Sequence, residues 1–147
     1  MILRVLLCVS LGFWLGACST PKKKDANKIK PPSPELADLV NDPDFQAFVS
    51  RLQKAVAAHD VNTLADMMTP NFGYRLDPVG EGDGVFKYWD DELLWPQLQA
   101  VLSRGFAVKG NYFVAPPEFA TDPNFHGYRA GITPVNGTWK FAYFVTD

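Results

Sequence analysis

Val5 to Ala17 is a run of thirteen residues in which Ser10 is the only polar side chain, and it ends at Cys18. A helix that crosses a bilayer needs about 20 apolar residues, so the run is too short to span and has the size of a signal-peptide core. Arg4 supplies the single positive charge ahead of it. The polar, proline-containing stretch that follows argues against a buried first helix of the fold. What can build a core is therefore confined to residues 35–147, about one ordinary domain.

Leu15-Gly16-Ala17-Cys18 resembles the lipobox of bacterial lipoproteins. Leu15 takes the aliphatic position, and Gly16 and Ala17 take the two small ones that a peptidase cleft requires. The resemblance implies that residues 1–17 are a signal peptide and that Cys18 becomes the first mature residue, carrying a thioether-linked diacylglycerol. Two or three acyl chains hold a protein firmly, since each buried CH₂ adds about 0.8 kcal/mol. It also implies an extracytoplasmic, membrane-anchored protein. Ser19 stands where an Asp would retain it at the inner membrane, so in a Gram-negative cell the address is the outer membrane, facing the periplasm.

Both cysteines are then accounted for. Cys8 leaves with the leader and Cys18 is lipidated, so a mature protein in a disulfide-permissive compartment has no disulfide. Residues 18–34 read as the lipidated cysteine and a disordered basic, proline-rich tether. Residues 19–34 hold five lysines against one aspartate, and their one large apolar residue is Ile29. Next to a lipid anchor, that basic stretch is either a contact with anionic headgroups or a solvated tether. Residues 35–147 hold eight Lys and Arg against fifteen Asp and Glu. That balance argues against nucleic acid as a partner, because phosphate contacts need clustered cations.

Asp42-Pro43 is a helix start, with Asp as N-cap and Pro at the first helical position. Phe45, Phe48, Val49, Leu52 and Val56 follow at helical spacing. Asp60 begins a second helix, with Val61, Leu64, Ala65 and Met68 on one side and Pro70 as its stop. Phe72, Tyr74 and Leu76 alternate as a strand, and Pro78 to Gly84 is a loop. A third helix is expected over Glu92 to Ser103, with Pro96 in its first turn and Gly105 after its end. Phe106–Val108 and Tyr112–Ala115 flank a Gly110-Asn111 turn, and Pro116-Pro117 breaks the segment. Phe125–Thr133 and Thr138–Thr146 flank Asn136-Gly137, a hairpin signal because both residues tolerate positive φ. Strict alternation puts Trp139, Phe141, Tyr143 and Val145 on one face of the last strand, and Lys140, Ala142 and Phe144 on the other.

The segments AAHDVNTLADMMTPNF (57–72) and NGTWKFAYFV (136–145) resemble the opening and closing of nuclear transport factor 2-like domains, the SnoaL-like group included. FVAPPEFA (113–120) and the stretch 127–147 are also similar to uncharacterised bacterial proteins, some with an SH3-like insertion. No such module fits here. The resemblance implies an α+β cone: N-terminal helices packed on a curved antiparallel sheet, often with a pocket at the open end.

Enzymes on that fold resemble one another in a carboxylate or His base facing a Tyr or Asp donor. The residue types are here, as Tyr74, Asp77, Asp90, Asp91, Tyr112 and Tyr128, but no spacing ties them into a catalytic site. Two scattered histidines and no mature free cysteine argue against zinc. The acidic loop DPVGEGDG (77–84) lacks the calcium-loop pattern, and no phosphate-cradling, nucleophile-elbow or dinucleotide motif occurs. Neither a metal nor a cofactor is expected. The aromatic segment VFKYWDDELLWP (85–96) plugs the cone or presents Tyr88 or Trp89 to a ligand or partner. The candidate surface is therefore Tyr74, Tyr88, Trp89, Tyr112 and Tyr128. The leading expectation is a non-catalytic, lipid-anchored domain that binds a small apolar ligand or an envelope protein. An isomerase- or dehydratase-type enzyme is the first alternative. A structural or homodimerising envelope module, motivated by an outward-facing Phe144, is the second.

Overall fold

A computed structural model describes residues 37–75 and 84–147. The Cys18 motif, the 18–34 tether, Leu76, Asp77 and residues 78–83 lie outside the described residues. The fold is α+β. After a 3₁₀ turn at Leu39–Asn41 comes α1 (Pro43–Ala57), capped as its sequence dictates: the Asp42 carboxylate accepts from the N–H groups of Asp44 at 2.9 Å and Phe45 at 3.1 Å. The apolar stripe of α1 is buried throughout and includes Ala55. Asp60 caps α2 (Val61–Met67) by accepting from the backbone and hydroxyl of Thr63. The buried residues of α2 are Leu64 and Met67, while Val61 and Ala65 stay outside.

Three elements before Gly105 differ from expectation, and later in the chain the strand expected from Phe125 begins only at Arg129. Strand β1 is Met68–Gly73, four residues earlier than the alternation at Phe72–Leu76 suggests. It contains Pro70, which a strand tolerates only where its N–H faces no partner, and β1 is an edge strand. Residues Val85–Asp91, read as an aromatic connection, form helix α3. The third expected helix then begins at Trp95 and ends at Ser103 (α4), because Glu92 and Leu93 make a turn in which Leu93 has φ +54°. Pro96 sits in its first turn, where a missing N–H costs nothing.

The rest is mostly sheet: β2 (Ala107–Lys109), β3 (Tyr112–Ala115), a short α5 (Glu118–Thr121), β4 (Arg129–Val135) and β5 (Thr138–Val145). The strand order is β1-β5-β4-β3-β2. The four C-terminal strands pair antiparallel, but β1 runs parallel to β5, so the sheet is mixed rather than antiparallel throughout. The β4–β5 hairpin turns at Asn136-Gly137, with φ values of +49° and +78°, as that dipeptide requires.

A bulge resets the last strand. Gly131 pairs with Tyr143, yet the next residue, Ile132, pairs with Phe141, so Ala142 is an extra residue in β5. Strict alternation fails there. Phe141 and Phe144 both turn toward the helices, at 0% and 1% exposed, and Tyr143 turns to the opposite face. The outward Phe144 that motivated a dimerising face is therefore a core residue.

Two aromatic groups fill the space between helices and sheet. Phe45 packs against Phe106, Phe113 and Trp139. Trp89 sits among Phe72, Phe86, Trp95, Phe141 and Phe144, with ring centroids 5.1 to 6.5 Å away. Phe45, Trp89, Phe113 and Phe141 are all 0% exposed, which leaves no water-sized space against them. Burying each such ring stabilises the fold by roughly 1.5–3 kcal/mol. The Trp89 indole N–H is buried without an acceptor. Leaving such a donor unsatisfied costs about 1–3 kcal/mol, which the surrounding ring packing must exceed.

Candidate functional site

The five aromatic candidates do not form one site. Tyr74 and Tyr88 lie together, centroids 5.6 Å apart, with the Arg75 guanidinium 4.9 Å from the Tyr88 ring. Tyr128 stacks on Phe144 at 5.5 Å and backs the core. Tyr112 is 40% exposed on the opposite face of the sheet, edge-on to Tyr143. Trp89 presents no surface at all, because α3 turns it inward to the centre of the aromatic core.

The acidic candidates are committed to local structure. Asp90 accepts the Trp95 indole N–H at 2.6 Å, and Asp91 pairs with Lys87 one turn earlier on α3. His59 follows α1 with φ +52°, and its ring stacks on Trp95 at 4.3 Å. His126 lies 3.1 Å from Asp147. Among the described residues, no polar or charged side chain is buried, and no three His, Cys, Asp or Glu side chains are grouped to hold a metal. No helix among them is long and apolar enough to cross a membrane.

A groove that sequence reasoning missed runs along the seam of α1 and α4. Its central part, about 450 Å³, is lined by Val40, Val49, Leu102 and Phe106 together with the polar Gln46, Ser50, Gln53, Ser103 and Arg104. It continues through Ser50, Gln53 and Ser103 into a depression of about 420 Å³ that reaches Ala57 and Gln99. At the other end Val40 and Phe106 connect it to one of about 440 Å³ beside the edge strand β2. The amides of Gln46 and Gln53 donate Nε2–H to the carbonyls of Val40 and Leu102, which fixes both side chains, and among the described residues neither Oε1 accepts a hydrogen bond. The only sequence trace of this groove is that Gln46 and Gln53 fall off the apolar stripe of α1.

The sheet face turned away from the helices has a different character. Lys109, Tyr112, Arg129, Gly131 and Tyr143 share it by register. The Lys109 ammonium lies 3.7 Å from the Phe119 ring centroid and donates to the Phe119 carbonyl at 2.6 Å, while the Arg129 Cζ is 5.1 Å from the same ring. Burial, with the Arg129 charge beside it, lowers the Lys109 pKa. Burial pushes the Tyr143 phenol up to about 12, with Arg129 acting against that rise. The Arg129 hydrogen bond to Asp147, 2.7 Å long, holds that carboxyl below its ordinary value.

No family model, no curated protein and no solved structure matches this chain.

Proposed function

We propose that this chain is a lipid-anchored extracytoplasmic domain, held to a membrane through Cys18, that binds a small ligand or a protein partner without catalysis. We further propose that its α+β body is a cone of the nuclear transport factor 2-like kind. The Leu15–Cys18 pattern supports the anchor. Two helices leading into a strand, and a hairpin-closed sheet packed on helices, support the fold. The observation that carries the binding reading is the α1–α4 groove, with its mixed apolar and polar lining and two amide side chains held in place by their hydrogen bonds. Ligand sites commonly combine an apolar lining with a few fixed polar groups. The packed aromatic core moves the expected binding place from the cone interior to this groove.

Two measurements test the reading. Mass spectrometry of the N-terminal peptide should find Cys18 carrying diacylglycerol, and Cys18→Ser should release the protein from membranes. An intact leader without added lipid mass overturns the anchor. Native mass spectrometry of protein purified from its membranes should show a bound mass that disappears when Ser50 and Ser103 are replaced by Trp. An identical bound mass in that filled-groove variant, or none in either protein, overturns the groove as the binding place.

A further inference from the structure

Every charged residue within the five strands is a cation: Lys109, Arg129 and Lys140. This holds in a body where acids outnumber bases fifteen to eight. Lys109 and Arg129 project to the sheet face away from the helices, since their neighbours Val108 and Ala130 face the core, whereas the Lys140 ammonium donates to the Asp66 carbonyl of α2 at 2.7 Å. Lys109 and Arg129 reach the same Phe119 ring, so their charges are no further apart than the sum of two short ring distances. That is inside the roughly 10 Å screening length of ordinary salt, and two like charges there repel.

The repulsion is only partly compensated. Among the described residues, no carboxylate lies within ion-pair distance of Lys109, whose ammonium meets one carbonyl and one ring. The Arg129 side chain is 13% exposed, and its Nη1 donates to both Gly127 O and Asp147 Oδ1. Its Nε and Nη2 donate to nothing among the described residues, yet neither is sealed from solvent. These two atoms form the side-on edge of the guanidinium, whose parallel N–H bonds match a carboxylate or phosphate. Tyr143 stands diagonally beside Arg129 on this face, at the register position next to it. Its ring lies so close over Gly131 that a Cβ there would fall 2.1 Å from it. The Tyr143 hydroxyl makes no hydrogen bond among the described residues, and neither does that of Tyr112.

We propose that this face holds an oxyanion, carboxylate or phosphate, on the free Nε–Nη2 edge of Arg129, with Lys109 as the second cation and the Tyr143 hydroxyl as a further donor. The site is separate from the α1–α4 groove and does not depend on it. The occupant is a soluble anion or the phosphate of a lipid headgroup, and the two share this chemistry.

The test uses the full chain in a non-ionic maltoside detergent. Inorganic phosphate and acetate are titrated at constant ionic strength, with chloride as the balancing ion, while NMR follows Arg129 Nε, Lys109 Nζ and the Tyr143 ring. At least one of the two should give saturating shifts confined to these groups. Lys109→Gln should weaken binding about tenfold, the worth of one charged hydrogen bond. Tyr143→Phe keeps the ring and its packing, and should weaken binding about threefold. Tighter binding of dihexanoyl phosphatidylglycerol than of phosphate, on the same resonances, assigns the headgroup as the source; weaker binding assigns a soluble anion. Shifts that rise linearly and equally at Lys54 and Lys87 mean an adventitious ion only, and overturn the site. So does unchanged affinity in a folded Tyr143→Phe protein.

Discussion

On the helix-facing side of the sheet, Phe113, Ile132, Phe141 and Phe144 are at most 1% exposed and interlock with Phe45 and Trp89. On the other side Lys109, Tyr112, Arg129 and Tyr143 stay at least partly open to water, and the packing there is an aromatic ring between cations. The same strands make both faces. The inner face gains stability from area removed from water, an effect that is non-directional and scales with the apolar surface buried. The outer face depends on placement: a bulge to turn Tyr143 outward, a glycine to let its ring lie flat, and α5 to carry Phe119. The two faces should therefore fail differently. Truncation should damage the inner face most, whereas the outer face should respond to charge and to single added atoms.

The largest effect is expected inside. Trp89→Ala empties the centre of the aromatic core and should cost roughly 3–5 kcal/mol in urea denaturation. Tyr143→Ala, which removes a ring of similar kind from the outer face, should cost less than half as much. Equal costs would erase the contrast between a sealed core and a half-open layer.

Alkaline pH separates the faces next. The folded-state pKa of Tyr143, about 12, lies above its ordinary value of 10.0. Between those values the folded state keeps a proton that the unfolded state has lost, so stability should fall as pH rises through that window. The total decline should be about 2–3 kcal/mol. Lys109, whose folded-state pKa is lowered, gives the opposite slope, which fades as pH rises past its ordinary 10.5. A fall in stability above pH 10.5 therefore reports Tyr143 and not Lys109. Denaturation between pH 10.5 and 12, with tyrosinate absorbance read in parallel, should show the fall in the wild type and its loss in Tyr143→Phe. A fall that persists in the variant would assign the alkaline sensitivity to other groups.

What could be read in the sequence follows the same division. Asp42-Pro43, Gly110-Asn111 and Asn136-Gly137 announced a helix start and two turns because capping and turn chemistry are local. The apolar stripe of α1 announced the inner face. Helix α3 was hidden because it is only seven residues long and Val85, Phe86, Tyr88 and Trp89 crowd its start, so the polar face of Lys87, Asp90 and Asp91 is too short to mark a period. Strand β1 was displaced because Pro70 is acceptable only at an edge, and edges are set by pairing. The bulge at Ala142 exists only relative to β4, so no pattern within β5 could reveal that Phe144 points inward. Of the candidate aromatics, Tyr112 lies on the oxyanion face, but Lys109 and Arg129 were not singled out and alternation put Tyr143 on the face of Trp139 and Phe141. The one visible trace was that the last two expected strands, 125–133 and 138–146, carry Arg129 and Lys140 and no acid.

The sharpest test of the outer layer adds one carbon. A methyl at Gly131 would sit 2.1 Å from Cε1 and 2.3 Å from Cζ of Tyr143, so the ring must leave the strand. Gly131→Ala should cost about 2 kcal/mol by overpacking, although alanine is ordinarily the easier residue to hold in a strand. In a Tyr143→Ala background the same substitution should cost nothing or stabilise slightly, because the obstacle is gone. The two changes should thus be strongly non-additive in urea denaturation. Additive costs would mean that Gly131 is required by the backbone of β4 itself, and that the ring of Tyr143 is a guest on this face rather than part of its construction.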